Sequence, residues 1–249
     1  MKTNTVCLLL ALTLLPVAAQ CQLVDEFKPG AAGLPSAIQR LGEQMQDWNQ
    51  LSRYQADNEK LKAMPAAPGR VVFMGDSITD GWRLAGSFPD KPYVNRGISG
   101  QTTPQMLVRF YPDVIELKPA AVIILAGTND IARNTGPETA EMMQRNFMAM
   151  ADLAKANGIK LILCSIMPVS DYSRKQTANH PPTDILKINA WMQGYAAKIG
   201  AIYADYFTPL ADEKGAFKQP LSADGLHPNA AGYELMAPVA AAAIQKALP

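Results

Sequence analysis

Residues 70–80 read Arg-Val-Val-Phe-Met-Gly-Asp-Ser-Ile-Thr-Asp, and this stretch decides the fold. Val71 to Met74 is a short apolar run without polar alternation, the pattern of a strand buried on both faces in a parallel sheet. It stops at Gly75-Asp76-Ser77, small and polar residues that turn a chain. Four further runs follow: Tyr93 to Ile98, Ala121 to Ala126, Ile159 to Ile166 and Ala201 to Tyr206. Helical patterns separate them. Gly136-Pro137 opens one, Met143, Phe147, Met150 and Ala154 give it an apolar face, and Asn157-Gly158 closes it. Thr183 is placed to cap another, with Ile185, Ile188, Met192 and Ile199 inward and Gly200 just past its end. The last begins after Pro228, with the stripe Leu235, Met236, Val239, Ala243 and Ile244 and a kink expected at Pro238. This alternation specifies an open α/β sheet covered by helices.

Working outward from the sheet, Ser36 to Lys62 reads as a helix, with Ile38, Leu41, Met45, Trp48 and Leu51 as its apolar stripe. Pro65-Ala66-Ala67-Pro68-Gly69 ends it. Earlier still, Lys2 precedes an apolar run from Val6 to Leu15, and Val17-Ala18-Ala19 suits a signal peptidase. That run is too short to span a bilayer. The chain therefore divides into a signal peptide over 1–19, a helical extension and linker over 20–69, and one main domain over 70–249. A secreted or periplasmic product is expected, with no stable membrane insertion after cleavage. Cys21 invites a lipoprotein reading, but Gln20 stands where a small residue is wanted. Cys164 lies in an apolar run and reads as a buried small hydrophobe, although an oxidising compartment would allow it to pair with Cys21.

Charge narrows the partners. Lys plus Arg is 23 against 22 Asp plus Glu, and loss of Lys2 with the leader brings the balance to zero. With no dense basic run, a nucleic-acid partner is not expected. Two histidines and no Cys/His spacing make a metal site improbable. No cofactor is expected.

The chemistry sits in four polar turns: Gly75-Asp76-Ser77-Ile78-Thr79-Asp80, Asn95-Arg96-Gly97-Ile98-Ser99-Gly100, Gly127-Thr128-Asn129-Asp130 and Asp224-Gly225-Leu226-His227-Pro228. The first three follow strands, and in an open parallel sheet the carboxyl ends of strands gather at one edge. If the first strand lies between the second and third, they are adjacent. A serine hydroxyl needs a base to become a nucleophile. Ser77 follows a strand, His227 is the plausible base, and Asp224, three residues earlier, can hold the imidazole. An oxyanion needs donors, for which the Ser77 backbone N–H, a bare N–H at Gly97 and the Asn129 amide are the candidates. Asp76 and Asp130 read as turn-holding carboxylates, and His180, in Asn179-His180-Pro181-Pro182, as a solvated loop residue.

Together these blocks resemble the SGNH hydrolases, also called GDSL-type esterases, in order and spacing from Arg70 to the C-terminus. The resemblance implies a three-layer α/β/α, flavodoxin-like five-stranded parallel sheet. It also implies a catalytic set of Ser77, Gly97, Asn129 and His227, with Asp224. Ile78 stands where the family's common name has Leu, an apolar exchange. The activity expected is hydrolysis of a small-molecule or carbohydrate ester through an acyl-enzyme. A lysophospholipase-type acylhydrolase and a non-catalytic phosphate- or carbohydrate-binding module are the alternatives. Asp76 and Asp80 in the first turn oppose phosphate binding, and no member of the triad is missing. The longest non-helical insertions, Arg83 to Lys91 and Val169 to Pro182, contain no long apolar segment. They suit a short acyl group and a hydrophilic alcohol.

Overall fold

The computed structural model describes residues 46–248 together with Ser36, Ile38 and Gly42; the expected signal peptide, Cys21, Leu41 and Met45 lie outside the described residues. Five strands form one sheet: β1 (Val71–Gly75), β2 (Tyr93–Gly97), β3 (Ala121–Leu125), β4 (Lys160–Cys164) and β5 (Ile202–Ala204). Their order is β2-β1-β3-β4-β5 and every neighbouring pair is parallel. β1 therefore lies between β2 and β3, where the strand order reverses. Gly75 sits beside both Gly97 and Leu125, so the three strands end level and release their loops at one place, the usual ligand edge of such a sheet.

Alternation along the strands feeds two cores. Val72, Met74, Val122, Ile124, Leu161 and Leu163 face helices α4 (Thr103–Asp113), α6 (Ala140–Ala156) and α7 (Pro182–Ile199). Val71, Phe73, Ala121, Ile123, Ile162 and Cys164 face α9 (Ala230–Ala247). Short helices follow the strand ends: α2 (Ser77–Asp80), α3 (Leu84–Ser87), α5 (Thr128–Ile131) and α8 (Phe207–Leu210). Cys164 is fully buried and has no disulfide partner among the described residues, and burial pushes its pKa up to about 12.

Several expectations change. The helix expected from Ser36 to Lys62 is interrupted at residues 47–50 and resumes as a 3₁₀ turn and then α1 (Gln55–Ala63). The cause is local. Gln50 adopts a left-handed conformation with φ 54°, and the Asp47 carboxylate accepts from the N–H groups of Leu51 (2.7 Å) and Ser52 (3.0 Å), opening a new helical turn. Trp48 and Leu51 of the expected apolar stripe remain exposed. α7 starts at Pro182, with Pro181 in the capping position, so Thr183 lies inside it and does not cap. α9 is helical through Pro238, and Leu235 is on its exposed side. The insertion after Arg83 is not open loop either. It contains α3, and Leu84 and Phe88 are buried against Phe73 and Trp82, with Phe73–Trp82 and Phe73–Phe88 ring centroids each 5.7 Å apart.

Candidate active site

The turn after β1 is shaped by Asp76. Its Oδ1 accepts from the Ile78 N–H at 3.0 Å and opens α2 with Ser77 in first position. A first-position N–H has no intrahelical acceptor, so the Ser77 N–H stays available. From the other side, the Tyr233 hydroxyl of α9 donates to the Ile78 carbonyl at 2.8 Å. Ser77 Oγ then lies 2.9 Å from His227 Nε2, and His227 Nδ1 lies 2.7 Å from Asp224 Oδ2. A carboxylate can only accept, so Nδ1 carries the ring proton and Nε2 is the acceptor facing the serine hydroxyl. Asp224 Oδ1 accepts from the N–H groups of Leu226 (2.9 Å) and His227 (2.8 Å). Burial opposes ionisation of Asp224, but these bonds and the His227 ring overcome it and hold the carboxyl well below its usual range.

This loop is braced by the insertion after Val169. Ser170 N–H donates to Gly225 O at 2.9 Å, Tyr172 Oη to Ser222 O at 2.8 Å and Gln176 Nε2 to Asp224 O at 3.3 Å. Its polar residues, expected as an open wall, are thus partly occupied in holding Asp224 and His227 in place. His180, expected in solvent, is buried, with Nδ1 3.0 Å from Gln176 O. Burial lowers its pKa.

Asn129, in α5, is also buried. Its Oδ1 accepts from Asn134 Nδ2 at 2.7 Å, which fixes the amide, and its Nδ2 donates one hydrogen to Gln101 O at 3.0 Å. The second hydrogen has no protein acceptor among the described residues. Gly97 differs from expectation. Its N–H is not offered to a ligand but donates to Asn95 Oδ1 at 2.8 Å. It is the last residue of β2, directly under α2, where a Cβ would come within 2.1 Å of Asp80 N; the glycine lets strand and helix touch. The unpaired N–H of this turn among the described residues is that of Gly100, three residues on. It is exposed, has φ 81° and its N–H donates to no protein group among the described residues. The signal was the closing glycine of the same turn, whose left-handed conformation suits glycine.

Beneath these donors lies a group of carboxyls. Asp130 Oδ1 accepts from the Thr103 N–H at 2.9 Å and from the Thr103 hydroxyl, while Oδ2 of Asp76 and of Asp130 is buried without a donor among the described residues. The expected turn-holding role accounts for Asp76 Oδ1; Asp130 Oδ1 differs, tying its turn to Thr103 at the start of α4, 27 residues away. Burial, reinforced by the Asp130 charge, pushes Asp76 up to about 7. Burial and the Asp130 charge likewise raise Glu138, whose Oε1 accepts from Asn146 Nδ2 at 3.0 Å. Asp130 is raised by burial too, so protons persist among these carboxyls into the neutral range.

Comparison with known proteins agrees with this geometry. Residues 73–235 match the GDSL-like Lipase/Acylhydrolase family. The chain is 29% identical over 186 residues to Esterase TesA of Pseudomonas aeruginosa, covering 68% of this chain and 84% of that protein. It is 26% identical over 225 residues to an acetylxylan esterase of Xylanibacter ruminicola, covering 74% of this chain and 45% of that longer protein. The crystal structure of a GDSL-like lipase from Bacteroides thetaiotaomicron superposes with a TM-score of 0.74 at 39% identity, over 80% of this chain and 99% of that one. The chain belongs to the GDSL-like lipase/acylhydrolase (SGNH hydrolase) family and is a carboxylic ester hydrolase.

Proposed function

We propose that the protein is a secreted serine esterase that cleaves acetyl and other short-chain acyl esters of hydrophilic, sugar-like alcohols. The observation that carries the serine route is the unbroken relay from Ser77 Oγ to His227 Nε2 (2.9 Å) and from His227 Nδ1 to Asp224 Oδ2 (2.7 Å). Ser77 Oγ attacks the ester carbonyl carbon while His227 Nε2 takes its proton, and Asp224 stabilises the imidazolium. The carbonyl oxygen becomes an oxyanion that receives the N–H of Ser77, the N–H of Gly100 and the free hydrogen of Asn129 Nδ2. Collapse breaks the bond to the alcohol oxygen, which leaves with the proton from His227. Water, activated by the same imidazole, then frees the acid from Ser77.

Burial favours a short acyl group. A long chain needs an apolar groove, worth about 0.8 kcal/mol for each CH₂ buried, and Leu84 and Phe88 are already used in the core against Phe73 and Trp82. Around the catalytic loop stand polar residues, among them Arg174, 3.9 Å from Asp224 Oδ2. The acetylxylan esterase among the relatives supports an acetylated carbohydrate. Export rests on the Lys2, Val6–Leu15 and Ala19 pattern.

The test is kcat/KM across nitrophenyl esters from acetyl to long acyl chains, beside a panel of acetylated glycans and a lysophospholipid. A maximum at acetyl or butyryl with turnover of an acetylated glycan is expected. A trend rising beyond ten carbons, with turnover of the lysophospholipid, would replace this reading by a lipid acylhydrolase. A fluorophosphonate should label the protein once, at Ser77.

A further inference from the structure

The segment before β1, outside the residues that match the family, reaches the floor of the site through one buried side chain. Gln101, fully buried, sits between the loops that carry the oxyanion donors. Its main-chain carbonyl accepts from Asn129 Nδ2 at 3.0 Å. Its N–H donates to Ile98 O at 3.3 Å and closes the turn that contains Gly100. Its side-chain Nε2 donates to the carbonyl of Asn49 at 2.9 Å, and its Oε1 accepts from Arg109 Nε. Arg109, equally buried, donates through its other nitrogens to Gly75 O at 3.0 Å and to Asp113 at 2.9 Å. Asp113 in turn accepts from Asn58 Nδ2 of α1 at 2.6 Å.

From this chain of bonds we infer that Gln101 is a positioning residue of the esterase reaction, locked by Arg109 and by the segment over residues 47–63. Each bond in it is buried and each partner has a single alternative, an unsatisfied polar group. Arg109 ties the carboxyl end of β1, which leads into Ser77, to the residue whose carbonyl holds Asn129. The helical segment closes the network from outside: the Asn49 carbonyl fixes the Gln101 amide, and Asn58 satisfies the carboxylate that balances Arg109. Removing the Gln101 side chain leaves the Asn49 carbonyl and Arg109 Nε unpaired. The loop from Ile98 to Gln101 is then free to shift, carrying the Gly100 N–H and the acceptor of Asn129. A displacement of about 1 Å at such a distance from the chemistry costs on the order of 10²-fold in rate.

The inference rests on the serine esterase reading, and its test separates the two. Steady-state kinetics on nitrophenyl acetate would be measured for Gln101→Ala, Asn129→Ala and the double variant, each corrected for the fraction of sites that fluorophosphonate labels at completion. Gln101→Ala should lower kcat per labelled site by about 10- to 100-fold with KM held. The double variant should fall little further than Asn129→Ala alone, because both changes act on the same donor. Gln101→Glu keeps an acceptor for Arg109 but replaces the donor to Asn49 by a carboxylate oxygen and adds a charge beside the Arg109 guanidinium, so it should recover only part of the rate. It also serves as the reading if the alanine variant does not fold. Multiplying losses, a rise in KM with kcat unchanged, or wild-type kcat in both Gln101 variants would overturn the positioning role. Failure of the esterase reading would show separately, as wild-type protein without turnover or unaffected by Ser77→Ala.

Discussion

The acid–base half of the site, from Ser222 to His227, and the oxyanion half, around Gly100, Gln101 and Asn129, are held by different means. The first is built from near neighbours in sequence: Asp224 accepts from the N–H groups of Leu226 and His227, two and three residues on. It stays in touch with solvent, with the His227 side chain 39% exposed. The second is assembled from residues far apart in sequence, with Gln101 and Asn129 buried and Gly100 exposed above them: Gln101 meets Asn129, Arg109 and Asn49. The difference follows from what each half must do. A group that gives and takes protons needs a medium that tolerates its charge, and water supplies it. Donors to a transient oxyanion act by being fixed before the charge forms, and low-dielectric burial strengthens them.

The largest effects should come from the acid–base half and the nucleophile it serves. Ser77→Ala and His227→Ala should each lower kcat by about 10⁴–10⁶-fold, and the double variant should be no worse than either, because the two act as one unit. Near-wild-type turnover in a folded single variant breaks the assignment. Asp224→Asn should cost less, about 10²–10⁴-fold, since the imidazole can still form but is no longer held in its tautomer or stabilised when charged. Its pH signature has a definite sign. The Asp224 carboxyl is held below its usual value in the folded protein, so its contribution to stability is present above the ordinary value of 3.8 and is lost as pH falls through the lowered one. Acid unfolding should therefore begin at higher pH in Asp224→Asn, measured by circular dichroism from neutral pH downward.

In the oxyanion half, Asn129→Ala should lower kcat by about 10²–10³-fold with KM little changed, because the amide meets charge that exists only in the transition state. A rise in KM with kcat intact would make Asn129 a substrate contact. Gly97→Ala sharpens the comparison. A Cβ there meets the α2 backbone, with Asp80 N at 2.1 Å and the Thr79 carbonyl carbon at 2.5 Å. It should lower the melting temperature and soluble yield far more than it lowers turnover per labelled site. A loss of turnover with stability intact would overturn this structural role of Gly97.

The two halves also differed in how far the sequence revealed them. Asp224 and His227 are three residues apart, and their spacing alone places one ring nitrogen on the carboxylate. The apolar runs of β1 and β3 were equally legible, because strands buried on both faces leave a distinct composition, whereas the edge strands β2 and β5 are largely part-buried. At Gly97 the sequence is ambiguous because the turn NRGISG offers two glycines and spacing cannot say which one still belongs to the strand; the register against Gly75 places Gly97 there. The break at residues 47–50 was hidden because apolar periodicity survives it, while the Asp47 cap and the left-handed Gln50 are matters of conformation. Gln101, Arg109 and Asn58 carry no local pattern. Apart from the i,i+4 pair of Arg109 and Asp113, their contacts span 8 to 55 positions of sequence, and periodicity does not see contacts of that range.

The smallest expected effect concerns the carboxyls under the oxyanion donors, and it has the opposite pH sign to Asp224. Burial and the neighbouring Asp130 charge raise Glu138 from an ordinary value of 4.5 to about 8. In the unfolded chain this carboxyl is ionised above about 4.5; in the folded protein it keeps its proton across the interval. Folding therefore takes up a proton there, and the folded state binds more protons than the unfolded one. By linkage, stability must fall as pH rises. The contribution is full below 4.5 and is lost as pH approaches 8. Once the proton leaves, Glu138 and Asp130 face each other as two anions over Thr103, whose hydroxyl is shared between them. Glu138→Gln removes the titrating group, so the variant should match the wild type near pH 5 and exceed it by a few degrees in melting temperature near pH 8. The same scan should leave the acid-side behaviour assigned to Asp224 untouched, because the two carboxyls lie in different halves of the site. Parallel melting curves for wild type and Glu138→Gln from pH 5 to 8 would mean that Glu138 is ionised throughout, with the like charge of Asp130 balanced by the Asn146 and Thr103 donors alone.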